Sequence, residues 1–520
     1  MVQFPAFAED NFTQNQANNT STVVNLMQVD GNHFSKYCRL LESNGYTQKQ
    51  YRELGGNIYA AYQNKTGGIF LNYYHALKEI NIAIEENCRY FDYIDTCGEA
   101  VVDPQITQLY MDDFGMSYAV RLSDGRFLVI DGGYNLQRDA QRLLQCLQEG
   151  TAYPTPVVAA WLFTHPHRDH YHCFNTFVEL YGDKVKIEKV LYNFPEADDF
   201  AHYPELKNED WRLEHSSDVY NIPLMKRNVE KLGISTYMVH TGQVYQIGDA
   251  VCEILSCMDD TIFRTRDVNA SSVVVRMELG GQVILWAADA AFDLDRLPQR
   301  YGSYLKADIM QVPHHGFGCG DDDVMMQGYD YIAPKVCLMP VSDNDAFNAI
   351  CTFRESTRYL MTRLDLDELI IGEPQRTITL PYTAPRWAKA ALHNRYLAGL
   401  DNNGSTAWMF TGLNTSQKED FEFCFMNTTA GKAEVTADIF FADGGKAIRF
   451  ISITVPGETY RKICITDEKQ VVMDKVFFNF DTIARKGIPE NAPFAVRFIS
   501  DRPIVVSHDR HTAAYHAPNR

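Results

Sequence analysis

Residues 157–163, Val-Val-Ala-Ala-Trp-Leu-Phe, form an unbroken apolar run of the length and composition of a strand covered on both faces. Comparable runs at 127–130, 282–288 and 309–312 predict further buried strands, so a sheet-rich core is expected between residues 101 and 375. Nearer the N-terminus, residues 21–29 read as a strand, 33–42 as an amphipathic helix, and 57–62, 68–73 and 79–84 as strands separated by Gly, Asn and Lys turns. One helix on a small antiparallel sheet is the simplest arrangement for residues 1–100. Within the central region, 187–194 and 235–239 read as strands and 225–232 as a helix. The segment 195–223 between them is polar and acidic, as expected of a lid or a surface insertion near a sheet rim. A Pro- and Thr-rich stretch, 371–386, reads as linker-like, with the linker proper set at 376–394. Beyond it the pattern shortens to strands at 406–410, 421–426, 433–441, 446–455, 461–465, 495–500 and 504–508, divided by turns such as Ala442-Asp443-Gly444-Gly445. A β-sandwich over 395–520 is expected.

A chain of 520 residues exceeds what one core supports, which agrees with three parts. No apolar run reaches the ~18 residues that span a bilayer, and the first ten residues lack the basic and apolar regions of a signal peptide, so a cytoplasmic protein without membrane partners is expected. Twelve cysteines without a Cys-x-x-Cys pair read as reduced thiols. The net charge of −19 disfavours a broad grip on nucleic acid, which depends on neutralising phosphates with Lys and Arg, and favours a small-molecule substrate. Tyr46, Tyr51, Tyr59, Tyr62, Tyr73 and Tyr74 read as half-buried strand faces rather than as a ligand platform.

The concentrated chemistry follows the 157–163 run directly, in Thr164-His165-Pro166-His167-Arg168-Asp169-His170. Imidazoles and a carboxylate at a strand end offer the nitrogen and oxygen ligands that zinc takes. The spacing suits two ions about 3.5–4 Å apart, one facing His165 and His167, the other Asp169 and His170.

His-x-His-x-Asp-His after a buried strand resembles the signature of the metallo-β-lactamase-fold hydrolases, and three more pieces resemble that family in order. They are Phe127-Leu128-Val129-Ile130-Asp131-Gly132-Gly133, the strand 282–288 ending at Asp289, and Ile309-Met310-Gln311-Val312-Pro313-His314-His315-Gly316. The Pro-His-His-Gly loop is similar to that of the branch holding ComEC-type competence hydrolases and phosphorylcholine esterases, which implies a phosphodiester substrate. The resemblance implies an αβ/βα sandwich with metals at one edge, Asp289 bridging two zinc ions (manganese or iron as alternatives), and Asp131 orienting a ligating His. His314 or His315 completes the second site while the other protonates a leaving group or makes a hydrogen bond, so Asp169, His314 and His315 are the catalytic candidates. The family's usual Gly before the bridging Asp is Ala288 here. Its usual third His falls near Asn269, within Asn269-Ala270-Ser271-Ser272; Asn269 and the upstream His240 are the two candidates for that ligand. Cys319 is a further candidate thiolate, whereas His172 and Cys173 read as packing. In the last part, Ile453-Thr454-Val455-Pro456-Gly457, Gly487-Ile488-Pro489 and the run Ser500-Asp501-Arg502-Pro503 resemble the sensory rhodopsin transducer family. That resemblance implies an oligomerising or ligand-binding sandwich, with homo-oligomers forming through it; His508, His511 and His516 read as ordinary histidines.

The expectation is a metal-dependent hydrolase whose activated water cleaves a small phosphodiester or related ester. The same attack on a carboxylic ester or lactone is the alternative, and a metal-stabilised binding or sensor protein is the reading from another class.

Overall fold

The computed structural model describes residues 12–16, 21–86, 95, 97–111, 115–195, 221–258, 267–317, 320–342, 355–362, 364–372, 374–386, 388–389, 407–427, 430–442, 448–466, 472–473, 491–508 and 514–515. Most of the acidic segment, Cys319, residues 443–445 and 487–489, His511 and His516, and the first ten residues lie outside these. The chain divides into two compact units, residues 1–342 with 364–384, and residues 343–363 with 385–520.

The first unit opens with β1 (Phe12–Gln16), β2 (Ser21–Met27), α1 (Gly31–Ser43), β3 (Thr47–Leu54), β4 (Asn57–Gln63), β5 (Gly67–Tyr74) and β6 (Glu79–Glu86). Helix α1 starts where the Asp30 carboxylate accepts the Asn32 and His33 N–H groups while the His33 ring accepts the Asp30 N–H, a reciprocal cap. The strands form one antiparallel sheet ordered β1-β2-β6-β5-β4-β3, as expected for this stretch. Every described position of β5 is buried, because both faces of the sheet are covered. One face takes α1, with Phe34, Tyr37 and Leu41 packed on Tyr62, Leu71 and Ile82. The other meets the body of the unit: the Tyr59 and Tyr301 hydroxyls lie 2.9 Å apart, and the Asn57 and Gln50 amides donate to the carbonyls of Arg300 (2.7 Å) and Gly242 (2.8 Å). Strand β3, Thr-Gln-Lys-Gln-Tyr-Arg-Glu-Leu, carries no apolar alternation and forms an edge, where polar residues are tolerated.

The body contains, in chain order, β7 (Gln105–Gln108), β8 (Ser117–Arg121), β9 (Phe127–Asp131), α2 (Gln137–Gly150), β10 (Val157–Leu162), α3 (Arg168–Tyr181), β11 (Lys186–Ile187), β12 (Lys189–Tyr192), α4 (Ile222–Lys231), β13 (Ser235–Met238), β14 (Val244–Ile247), β15 (Ala250–Ser256), β16 (Val274–Leu279), β17 (Gln282–Trp286), α5 (Leu297–Tyr301), β18 (Ile309–Gln311), α6 (Asp322–Ile332), β19 (Val336–Met339), β20 (Glu368–Ile371) and β21 (Arg376–Thr379). One sheet runs β13-β12-β10-β9-β8-β7-β21 and the other β14-β15-β16-β17-β18-β19-β20. Side chains of alternate strand positions divide between two cores. Ala160, Leu162, Leu128 and Ile130 face Ile254, Met277, Ile284 and Trp286 between the sheets. Val129, Trp161 and Phe163 face Leu143, Phe174, Phe177 and Met225 of the outer helices. The result is the expected αβ/βα sandwich. Residues 376–379 correct the linker reading: β-branched Thr377, Ile378 and Thr379 pair antiparallel with β7, and Pro381 follows at the sheet edge, where no ladder N–H is needed.

In the second unit, strands Val472–Met473, Ile448–Val455, Ala433–Phe441, Pro493–Ser500, Ala407–Asn414 and Ala514–Tyr515 make one sheet in that order, and Thr459–Cys464, Glu422–Asn427 and Ile504–Ser507 make another. Their shared core is aromatic, with Phe423 edge-on to Phe498 at 4.7 Å and to Phe410 at 5.1 Å.

Candidate metal centre

Four loops leave the C-terminal ends of parallel neighbours β9 and β10 in one sheet and β17 and β18 in the other, and they meet at one edge of the sandwich. The first begins at Asp131, whose φ of 53° is left-handed, a conformation costing a non-Gly residue about 1–2 kcal/mol. Its carboxylate accepts the Thr164 N–H (2.8 Å) and Thr164 hydroxyl (2.6 Å) and lies 2.8 Å from His170 Nδ1. The second loop turns into α3 at His167, placing Asp169 and His170 in the first helical turn. The Gly132 and Gly133 N–H groups donate to the His170 carbonyl at 2.6 and 2.8 Å, and Met116 N–H to that of Asp169 at 2.8 Å, so the loop is fixed by backbone.

The third loop carries Ala288 at φ 49° and Asp289; the fourth carries His314 and His315 at φ 49° and 55°. Gln311 holds these two together, its Oε1 accepting the Ala287 N–H and its Nε2 donating to the Ala288 and Val312 carbonyls. Left-handed non-Gly residues clustered at one sheet edge are strain that the surrounding hydrogen bonds maintain, a property of functional sites.

These loops bring the predicted residues together. Asp169, His170, Asp289 and His315 form one group of buried donors, and His165, His167 and Asp289, of which His167 is half-buried, a second, the donor atoms of each lying within 4.8 Å of one another. His165 Nε2 stands 2.9 Å from His167 Nδ1, and His170 Nε2 3.3 Å from His315 Nε2. His315 Nε2 lies 3.2 Å from Asp169 and His170 Nε2 3.2 Å from Asp289. The partners of the outer nitrogens set the tautomers. His170 Nδ1 faces a carboxylate and His315 Nδ1 faces the Pro340 carbonyl at 3.2 Å, both of which only accept, so each Nδ1 keeps a proton and each Nε2 turns inward.

Burial opposes a charge on His170, but Asp289, Asp169 and Asp131 outweigh it and hold its pKa well above the ordinary 6.5. Burial and the neighbouring His170 push His165 well below that value despite Asp289. Burial likewise opposes ionised Asp169 and Asp289, yet the facing imidazoles, His170 foremost, hold both below the usual carboxylate range. Converging imidazole nitrogens and buried, ionised carboxylates are the donor set of a divalent cation, so the residues fit the expected metals.

His240 departs from the expectation and joins neither group. Its ring stacks on Phe70 of β5 with centroids 3.6 Å apart, and its Nε2 lies 3.9 Å from Glu85 of β6, so it belongs to the seam with the N-terminal sheet. Burial takes its pKa down to about 3. Asn269 sits in the 3-10 turn Val268–Ser271, 7% exposed, its side-chain oxygen buried without a hydrogen-bond donor among the described residues. His314 is the more open imidazole, 22% exposed, its Nε2 3.8 Å from Asp289. His172 and Cys173 are buried on α3. Sequence reasoning missed Thr164 and Gln311; the available signal for Gln311 was an amide inside an otherwise apolar strand end.

Residues 110–316 match the family model described as the metallo-beta-lactamase superfamily. The chain carries a metallo-β-lactamase superfamily domain. Solved structures similar to this chain include CmlA, a diiron beta-hydroxylase from Streptomyces venezuelae, at 13% identity over 54% of this chain and 55% of that one, with a TM-score of 0.34. The metallo-beta-lactamase fold protein YhfI from Bacillus subtilis is 12% identical over 53% of this chain and 99% of its own, with a TM-score of 0.33. The Anabaena sensory rhodopsin transducer is 22% identical over 20% of this chain and 95% of its own, with a TM-score of 0.16. Comparison with curated proteins gives no match. Outside the metallo-β-lactamase domain as within it, no helix among the described residues is long and apolar enough to cross a membrane.

Proposed function

We propose that the protein is a metal-dependent hydrolase that cleaves a small phosphodiester or a related ester at this centre. The observation that supports it most is that Asp289 belongs to both donor groups, the arrangement needed for two cations to act on one reacting oxygen. Divalent ions held there, zinc by the preference of imidazole ligands with manganese or iron as alternatives, supply an acidified water and positive charge for a developing oxyanion. The chain's own residues do the rest. Asp131 and the Pro340 carbonyl hold the Nδ1 protons of His170 and His315, keeping both Nε2 atoms available. To His314, 22% exposed with its Nε2 3.8 Å from Asp289, we assign the proton for the leaving group. The net charge of −19 favours a small ligand over a polyanion. We assign the C-terminal sandwich an assembly role, in a homo-oligomer.

The test is turnover of bis-para-nitrophenyl phosphate and of para-nitrophenyl esters by the full chain loaded with zinc, manganese or iron. Diester cleavage abolished by His167→Ala and Asp289→Ala supports the proposal. Cleavage confined to carboxylic esters moves the substrate class, and metal binding without any turnover rejects hydrolysis.

A further inference from the structure

The two donor groups are not equivalent. The group of Asp169, His170, Asp289 and His315 has four protein donors, all of them buried. The group of His165, His167 and Asp289 has three, and no further His, Cys, Asp or Glu among the described residues joins it. Beside it runs the turn Val268–Ser271, fixed from three directions. Its N-cap Asp267 accepts the Asn269 N–H at 2.9 Å; Val273 N–H donates to the Thr164 carbonyl at 2.9 Å, immediately before His165; and Ser272 Oγ accepts the Asp289 N–H at 3.3 Å. The two residues that follow the turn, Ser272 and Val273, are thus bound to the backbone of both loops that build the three-donor group. On the turn stands Asn269, 93% buried, with a side-chain oxygen that has no donor among the described residues, an expensive state for a polar atom unless something else occupies its lone pairs.

We propose that the two metal positions are of unequal strength: the four-donor position binds tightly, and the His165–His167 position closes with the Asn269 amide oxygen and holds a weaker, exchangeable ion. This rests on the metal-binding reading of the preceding subsection and adds to it which ion leaves first and which residue sets its affinity. A neutral amide oxygen is a harder donor than imidazole, so the weaker position discriminates less against manganese in favour of zinc than one closed by a third imidazole does.

The experiment uses the full chain, stripped with a chelator and titrated with zinc and, separately, manganese against a chromophoric competitor, with bound metal counted by elemental analysis. Two steps separated by at least tenfold are expected. Asn269→Ala weakens the second step severalfold and leaves the first unchanged. Asn269→His strengthens the second step at least tenfold for zinc and raises its zinc-over-manganese preference. His315→Ala removes the tight step. Melting curves of the metal-free variants check that each is folded, and Asn269→Ser replaces any variant that is not. Two equal steps in the native chain, or an Asn269→Ala protein with both steps unaltered, overturn the inference while leaving the functional reading in place. A folded native chain that takes up no metal overturns both.

Discussion

Asp131→Asn isolates the role of a residue that touches no reacting atom. The substitution keeps volume and leaves an oxygen for the Thr164 N–H, and Asn tolerates the left-handed φ of 53° as well as Asp does, so the backbone is not the variable. What changes is the group 2.8 Å from His170 Nδ1, which becomes an amide that presents either a donor or a weaker, uncharged acceptor. If the NH2 faces the ring, the imidazole proton must shift to Nε2, the atom turned toward the other donors. A hydrogen bond to a charged group contributes about 1.5–3 kcal/mol, and loss of such an outer partner lowers metal affinity about 10–100-fold, or about 1.4–2.7 kcal/mol. Competition titration with zinc is expected to show the tight step weakened within that range. Affinity within twofold of the native value, in a protein melting as the native chain does, would refute the claim that Asp131 sets the His170 tautomer.

Three other expectations follow from particular positions. His240, held at about 3 against an ordinary 6.5, binds a proton in the unfolded chain before it does so in the folded one, so stability is complete above about pH 6.5 and falls as pH drops toward 3. At pH 5 this loss is about 2 kcal/mol; chemical denaturation of the native chain and His240→Phe across this range should show a shallower slope in the variant, with Glu85, the carboxylate facing the ring, kept intact. Ala288→Gly relieves a φ of 49° worth about 1–2 kcal/mol, offset by about 0.5–1 kcal/mol of chain entropy, so a small gain in urea midpoint is expected and a loss would argue against strain there. Gly242→Ala puts a Cβ 2.2 Å from the Tyr59 ring at φ 88° and should destabilise by at least about 2 kcal/mol, read as a lower melting temperature; an unchanged melt would mean that the seam is loose.

Much of the sandwich and of the candidate centre is readable from local pattern because both depend on local pattern. Continuous apolar runs specify strands covered on two sides, and the residues that follow them fall at one sheet edge by topology, which is how His165, Asp289 and His315 come together from three separate stretches. What was not legible depends on partners distant in sequence. Strand β3 is polar because it is an edge, and residues 376–379 look like a linker until Gln105–Gln108 is beside them. His240 lies after a strand near the right place for a ligand, and only Phe70 and Glu85, more than 150 positions earlier, show that it serves a different contact. Asn269 has the opposite character: its type is unremarkable for a turn, and its buried oxygen becomes visible only with the surrounding loops in place.

The N-terminal sheet is clothed on both sides, by its own helix and by the αβ/βα body, with Val23 entering the same apolar cluster as Met258 and Ala270. Trimming the first hundred residues to obtain a minimal domain would strip the packing from His240 and Tyr301 in one cut, leaving a sticky wall on that flank. In this protein, then, the metallo-β-lactamase domain has no independent outer boundary on that flank, and any rearrangement that moved it to another chain would have to bring its companion sheet along.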